Sequence, residues 1–392
     1  MLRALDVYRG PALNDPAALP GKPVLFAMTH STAGGLREIW NDVAEGLAAR
    51  GYAVGRFVFY PPANAEAEKV DRASWHHIVD RRPGSPIAAI GLFVALLRYL
   101  RRTRPTAVVT AMPATNVLVP LAVTLARVPT RVFISHHSPT DTHNRLLDWL
   151  DGWTGSLGCV EAVISVSDAV AATLEHKPQA YRRKRRTIHN ALPERIERLL
   201  DTLSRGPRQE ARGRKIIALG RLTHQKNYPM LLRAVALVPE AALDIIGGGE
   251  DEDALRALAN DLGVADRVRF LGLLGREGAL ERAAEADIFV QVSRYEGHSL
   301  ALIEAARLAL PLIVSDVPVQ VEGVTALDGT RCGIVVPLGD VEGLARRIAG
   351  LIWDLPAREA WSGLSRRIAE EASHRLMIDR YEKLLAPAIR RG

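Results

Sequence analysis

The sequence predicts an α/β protein made of two doubly wound domains, each a parallel sheet covered by helices on both faces. Three observations carry this. Short apolar runs alternate with helical patterns from end to end, the rhythm of parallel strands joined by crossover helices. The rhythm lapses in the polar stretch Asp201–Arg214 and then restarts. The chain has 392 residues, and at about 100–200 residues per domain this is two or three domains.

In the first half, Val24–Met28 reads as a strand and Leu36–Arg50 as a helix, with Gly51 as its C-cap. Val54–Phe59 is the next strand. Helix Ile87–Thr103 leads past Pro105 to strand Ala107–Thr110. Helix Asn116–Ala126, strands Arg131–Ser135 and Ala162–Val166, and a helix Ala169–Glu175 capped by Ser167 follow, and Thr187–His189 closes the series. In the second half the strands are Ile216–Leu219, Leu243–Ile246, Val268–Leu271, Ile288–Val292, Leu312–Ser315 and Gly333–Val336. The helices are Met230–Leu237, Glu252–Leu262, Ala279–Ala286, Leu300–Leu308 and Val341–Leu351. The expected division is 1–193, 194–372 and a terminal helical segment 373–392. In such sheets ligands bind beyond the carboxyl ends of the strands.

Composition narrows the class. Hydrophobic residues make up 48% and charged residues 24%, which excludes a disordered chain. Aromatics are 5%, too few for a protein that works by stacking bases. Cys159 and Cys332 stand far apart, so neither a disulfide framework nor a cysteine metal cluster is expected, and a reducing, cytoplasmic setting fits. Asp6, Arg9, Asn14 and Asp15 interrupt the first twenty residues, leaving no signal-peptide core. The longest apolar run, Ile87–Leu97, has eleven residues, short of the roughly 20 needed to span a bilayer. It runs into Arg98, Arg101, Arg102 and Arg104, so it reads as a buried helix with a basic end or as an interfacial helix on anionic lipid.

The net charge is +7. Residues 1–205 hold 26 basic against 18 acidic side chains, and residues 206–392 hold 25 against 26. The basicity therefore belongs to the first half, which implies an anionic partner there. The run Arg182–Arg186 comes with no nucleic-acid-binding pattern, so no nucleic acid is expected, and a solvated face or a membrane surface is.

Five loops at strand ends carry candidate chemistry. Ser31-Thr32-Ala33-Gly34-Gly35 opens the first helix. It is either a tight turn or a cradle where backbone N–H groups meet an anion. Arg221 and Lys226, in Gly220–Asn227, stand five apart after a strand and can both reach one diphosphate. Gly247-Gly248-Gly249 lets a backbone approach a nucleotide. Glu296 at a strand end and Glu304 inside the apolar helix Leu300–Ala306 can accept from sugar hydroxyls, and a carboxylate in that helix is costly to bury alone. His136 and His137 end a strand in the first half, and either can reach a ligand. With His143 they also raise metal binding, although the carboxylate pattern of a metal site is absent.

Three segments together, "GRLTHQKN", "IIGGGEDEDALRALANDLGVADRVRFLG" and "SRYEGHSLALIEAARLALPLIVSD", resemble the retaining glycosyltransferases of the GT-B fold, family four (glycosyl transferases group 1), in order and spacing. The resemblance runs from about Val24 to the C-terminus. It implies two Rossmann-like domains facing a central cleft, an acceptor-binding domain at 1–193 and a nucleotide-sugar donor domain at 194–372, with 373–392 crossing back to the first. It implies that Arg221 and Lys226 bind the donor diphosphate and stabilise the leaving group, so that no metal or other cofactor is needed. Glu304 would hold the ribose and Glu296 the donor sugar. The backbone of Gly297, His298 and Ser299 would lie near sugar and phosphate, Gly272, Leu273 and Leu274 would line the base, and Leu300 and Gly248 would also belong to the donor site. Gly34 and Gly35 would sit by phosphate and acceptor, with His137, or else His136, beside the sugar. Asn190 would close the first domain. Partners would be a UDP- or GDP-sugar, a glycan or lipid-linked acceptor in surface-polysaccharide assembly, and an anionic membrane face. The chain departs from the family pattern with His298 and Ser299 where Phe and Gly are usual, Ala191 where Gly is common, and Ala309 for the Gly of an A-x-G-x-P segment. A nucleotide-sugar epimerase and a non-catalytic nucleotide sensor are the competing readings.

Overall fold

A computed structural model describes residues 22–32, 35–62, 75–205 and 214–391. The first sheet takes strands β1 (Val24–Met28), β2 (Val54–Val58), β3 (His76–His77), β4 (Ala107–Ala111), β5 (Arg131–His136), β6 (Val160–Ser165) and β7 (Arg185–Thr187). Its helices are α1 (Gly35–Ala49), α2 (Pro86–Thr103), α3 (Pro113–Ala126), α4 (Arg145–Gly155), α5 (Asp168–Ala172) and α6 (Gln179–Arg182). After α7 (Glu194–Arg205) the second sheet is built from β8 (Lys215–Leu219), β9 (Ala242–Ile246), β10 (Val268–Phe270), β11 (Ile288–Gln291), β12 (Leu312–Ser315) and β13 (Ile334–Val336). Its helices are α8 (Tyr228–Ala236), α9 (Glu252–Asp261), α10 (Arg276–Ala284), α11 (Leu300–Arg307), α12 (Pro318–Gly323), α13 (Val341–Trp353) and α14 (Leu355–Glu371). The last helix, α15, runs His374–Arg391.

The strand orders are β3-β2-β1-β4-β5-β6-β7 and β10-β9-β8-β11-β12-β13, and every paired strand is parallel. Both sheets are doubly wound, as expected from the sequence. The order reverses between β1 and β4 in one sheet and between β8 and β11 in the other. Burial on both faces explains the apolar runs. Along β8, Ile216 and Ala218 enter one core while Ile217 and Leu219 enter the other. Gly51 ends α1 at φ 88°, and Tyr52 N donates back to Leu47 O at 3.2 Å, a glycine C-cap.

The described residues form two compact units. One holds the chain to Val166, Ala171–Ile188 and the stretch from Ile378 onward, and the other holds Ser167–Val170 and His189–Met377. The division therefore falls at 188/189 rather than 193, and the terminal segment joins the first unit from 378 rather than 373. Tyr381 packs edge-on against Trp40, and Arg50 pairs with Asp379 at 2.5 Å.

Several elements differ from the sequence reading. The polar stretch starting at Asp201 begins inside α7, whose Ile196 and Leu200 are buried while Glu194, Arg195, Arg198 and Arg205 are exposed. The last strand of the first sheet is Arg185–Thr187 instead of Thr187–His189. β3 is two histidines with no apolar run to announce it. Ala309 sits at φ 53°, so it adopts the left-handed conformation for which glycine is suited. Among the described residues no helix is long and apolar enough to cross a membrane.

Candidate functional site

The second sheet reverses its order between β8 and β11, and the loops beyond those two strands bring the motif residues together. Gly220 (φ 143°) and Gly247 (φ 146°) both need positive φ. A Cβ on Gly247 would strike the Gly220 carbonyl, and one on Gly220 would lie 2.6 Å from Lys226 Cε. The two glycines thus let the loops after β8 and β9 touch and leave room for Lys226. Asn227, at φ 53°, donates to Val292 O at 3.2 Å and accepts from Arg294 at 3.0 Å. Gln225 donates to Tyr295 O at 3.0 Å. These bonds hold the loop after β8 against the end of β11.

The result is that Lys226 Nζ donates to Glu296 Oε1 at 2.7 Å, with both side chains largely buried. Residues 70 apart in sequence meet at the switch point, where ligands bind in open α/β sheets. The pair is close to neutral. Arg221 is exposed, and no described side chain pairs with its guanidinium. It is the cation of the motif left available to an incoming anion.

Beyond β11, Gly297, His298 and Ser299 lead into α11. Ser299 is the N-cap. Its hydroxyl accepts from Leu302 N at 3.4 Å and donates to Gln291 Oε1 at 2.9 Å. The hydroxyl's proton is therefore spent, and what it can still offer a ligand is an acceptor lone pair. Leu300 starts the helix, whose first-turn N–H groups lack intrahelical acceptors. The His298 ring lies 5.3 Å from that of His189, and burial, the largest cause, lowers its pKa to about 4. Asn190 donates to His298 O at 3.3 Å, within the second unit.

Glu304 corrects an argument made from sequence. Its carboxylate is buried in α11, but the structure supplies a partner from its own chain: Arg276, at the start of α10, donates to Glu304 Oε1 at 2.8 Å. Burial alone therefore does not demand a ligand. Arg276 is the site neighbour that sequence reasoning missed, since nothing in its spacing ties it to a glutamate 28 residues away. Gly272 (φ 67°) accepts from Gly247 N at 2.9 Å. Next to it Leu273 is 84% exposed, with Leu274 exposed too. A Cβ on Gly248 would sit 3.3 Å from Leu273 Cγ.

The first domain treats its candidates differently. Gly35 opens α1, whereas Gly34 lies outside the described residues. His136 is 2% exposed and points into the domain, which removes it as a loop residue. Tyr181 OH donates to Asp151 Oδ2 at 2.8 Å, so its oxygen accepts from His136 Nε2 at 2.7 Å. The proton of His136 is thereby placed on Nε2, and Nδ1 is a buried acceptor with no partner. Burial, the largest cause, lowers its pKa to about 4. Lys177 completes the network, reaching Asp148 at 2.7 Å and Asp151 at 3.1 Å. His137 instead bonds Ser135 through Nε2 at 2.9 Å and sits edge-on to Trp40, centroids 4.9 Å apart.

His143 bonds Ser138 at 2.9 Å, and among the described residues His136, His137 and His143 are not grouped closely enough to hold one metal ion. The loop after β5 opens onto a polar cavity of about 460 Å³ lined by His143, Arg145 and His176, among others. Asp168, His189 and Glu322 do lie close enough to share a cation. The Glu322 carboxylate is already used, accepting from Asp168 N (2.8 Å), Ala169 N (2.7 Å) and His189 (2.8 Å).

Comparison with known proteins matches both halves of the chain. Residues 202–367 match the model for glycosyl transferases group 1, and residues 33–194 match that for glycosyltransferase family 4. The chain is 33% identical over 175 residues to the lipopolysaccharide core biosynthesis glycosyltransferase LpsE of Rhizobium meliloti, covering 44% of this chain and 49% of that one. It is 32% identical over 163 residues to a GDP-mannose-dependent phosphatidylinositol monomannoside mannosyltransferase of Mycolicibacterium smegmatis, covering 39% and 42%. The match thus spans about half the length of these curated relatives or less. Among solved structures, Anabaena HepE in complex with UDP gives a TM-score of 0.74 at 16% identity, covering 93% of this chain and all of that one. Sucrose-phosphate synthase of Thermosynechococcus elongatus gives 0.75 at 18%, covering 95% and all of that chain. The structural likeness shows the fold, two parallel-sheet α/β domains of the GT-B kind. With the two family models matched in order along the two halves, the chain belongs to the group 1 glycosyltransferases of family 4.

Proposed function

We propose that this protein transfers a sugar from a nucleotide-diphosphate sugar, UDP- or GDP-linked, to a hydroxyl of a glycan or lipid-linked acceptor, with retention at the anomeric carbon and without a metal. The observation that carries this reading is the Lys226–Glu296 contact at the switch point, 2.7 Å, beside the exposed Arg221. The donor diphosphate lies against Arg221 and the start of α11 and draws on Lys226. As the bond to the anomeric carbon breaks, charge grows on the leaving phosphate, and preset cations stabilise that charge more than they stabilise the ground state. Glu296, oriented by Lys226 and Gln225, accepts from hydroxyls of the donor sugar. Glu304, held by Arg276, accepts from the ribose, and the exposed Leu273 and Leu274 cover the base. The acceptor hydroxyl enters on the face from which the diphosphate departs, through an oxocarbenium-like transition state, and passes its proton to the departing phosphate oxygen.

Relatives named for lipopolysaccharide core biosynthesis and for GDP-mannose-dependent lipid mannosylation support an acceptor in bacterial surface glycan assembly. The basic first half supports peripheral contact with an anionic membrane on the cytoplasmic side. The test is transfer from UDP-glucose and GDP-mannose to a panel of lipid-linked and free glycan acceptors in the presence of a chelator, with the product anomer read by NMR. Retained configuration with undiminished rate in chelator is expected. Inverted product, or an absolute need for a divalent metal, overturns the reading, and release of an epimerised free sugar replaces it with epimerase chemistry.

A further inference from the structure

Helix α4 is built inside out. Its inward face carries Asp148, Asp151 and Thr154, met by Lys177 and Tyr181. On the same face Gly152 and Gly155 allow close approach, because a Cβ on either would press on Pro178 or on the Tyr181 ring. Its outward face carries Leu146, Trp149 and Trp153, spaced i, i+3, i+7 on one stripe. They are 63%, 68% and 52% exposed. Two of the chain's six tryptophans therefore stand in water on a helix whose fully buried side chains are polar, an arrangement that folding alone does not call for.

The surroundings indicate what covers them. α4 packs beside α3, and α3 beside α2, in one layer. The first two turns of α2 expose Ile87 and Ile90, and α3 exposes Leu125. Arg98, Arg101, Arg104, Arg127 and Arg145 are exposed in the same layer. From Pro86 to Gly155 the acids are Asp141, Asp148 and Asp151. Of these, Asp151 is buried and Asp148 is bound to Lys177. The run Arg182–Arg186, by contrast, is partly spent locally: Arg185 pairs with Glu175 at 2.6 Å, and Lys184 donates to Leu157 O at 2.8 Å.

We propose that the outer face of α2–α4 is a docking surface for a bilayer with anionic headgroups, with Trp149, Trp153 and Leu146 seated at headgroup depth and the arginines on lipid phosphates. Indole at the interface and guanidinium on phosphate are what such a boundary selects. A second copy is disfavoured, since a two-fold contact would set this arginine-rich face against itself. The inference gives a place to the membrane contact proposed above and rests on that reading for its partner.

The experiment is co-sedimentation of the full chain with phosphatidylglycerol-containing and pure phosphatidylcholine vesicles, with tryptophan emission recorded and nucleotide binding measured in parallel. Wild type is expected to bind the anionic vesicles with a blue-shifted emission, and to release in high salt. The double variant Trp149→Ser/Trp153→Ser should lose at least about tenfold in vesicle affinity with unchanged Tm and nucleotide binding, and Arg98→Glu/Arg101→Glu should lose the salt-sensitive part. If wild type binds and the tryptophan variant binds equally, the surface is wrong while the membrane reading stands. If wild type ignores anionic vesicles, both fall. If wild type is a dimer in solution and the tryptophan variant a monomer, the occupant is a second copy and the proposal is overturned.

Discussion

Both sheets carry candidate residues beyond the carboxyl ends of their strands, in the second at the β8/β11 switch and in the first at the end of β5, one strand past its switch, and use them in opposite ways. In the second, side chains from β8 and β11 loops meet in an ion pair that leaves Arg221 exposed. In the first, the histidines ending β5 are turned inward or against neighbours: His136 to Tyr181, His137 to Ser135 and Trp40. The lesson is about charge. A lysine or arginine head group needs acceptors or water, and here Lys226 takes the first and Arg221 the second. An imidazole can be buried neutral with one hydrogen bond, so the same position serves the core equally well.

The comparison can be broken first at the ion pair. Lys226→Met and Glu296→Gln are each expected to lower kcat/KM by about a hundredfold or more, and the double variant to be little worse than the poorer single, because the two act as one unit. Additive losses would mean that the residues work separately.

The second prediction concerns acid. His136 has its pKa lowered to about 4 by burial, against about 6.5 unfolded. Between those values the unfolded chain binds more protons, so the stability His136 contributes is present above about pH 6.5 and is lost as pH falls toward 4, on the order of 3 kcal/mol. Thermal melts from pH 7 down to 4.5 should show this fall. A flat Tm across that window would mean that the imidazole is not buried as described.

The third is steric. Gly155→Ala places a methyl against the Tyr181 ring and is expected to cost about 1–3 kcal/mol in a denaturant titration, with nucleotide affinity unchanged. The smallest effect is at Leu273. Trimming it to Ala should raise the KM for donor by a few-fold, about 1 kcal/mol of apolar contact, with Tm unchanged.

Much of this was legible in the sequence. Strands buried on both faces announce themselves as apolar runs, and β8, β9, β11 and β12 stand within a residue or two of where the pattern places them. The Gly220–Asn227 and Ser293–Glu304 segments follow the strands on either side of the second sheet's switch, and Lys226 of the first meets Glu296 of the second. What stayed hidden is what depends on distant partners. Arg276 gives no sign that it holds Glu304. β3 is two histidines paired to β2. α7 hides two buried residues among many charges. α4 has no counterpart in the sequence reading, and Lys177 and Tyr181, which turn its polar face inward, are distant from it in sequence. Ala309 departs from the usual glycine yet keeps the glycine conformation, φ 53°, which sequence alone cannot reveal.

The central claim is that the switch point of the second domain binds a nucleoside diphosphate through Arg221 with no metal. Calorimetric titration with UDP and GDP in the presence of a chelator tests it most directly, on wild type and on Arg221→Ala. Saturable binding of one nucleotide by wild type, weakened at least about tenfold by loss of the exposed cation with Tm unchanged, is the predicted result. Equal affinity in the variant, or binding that appears only when a divalent metal is restored, would contradict it.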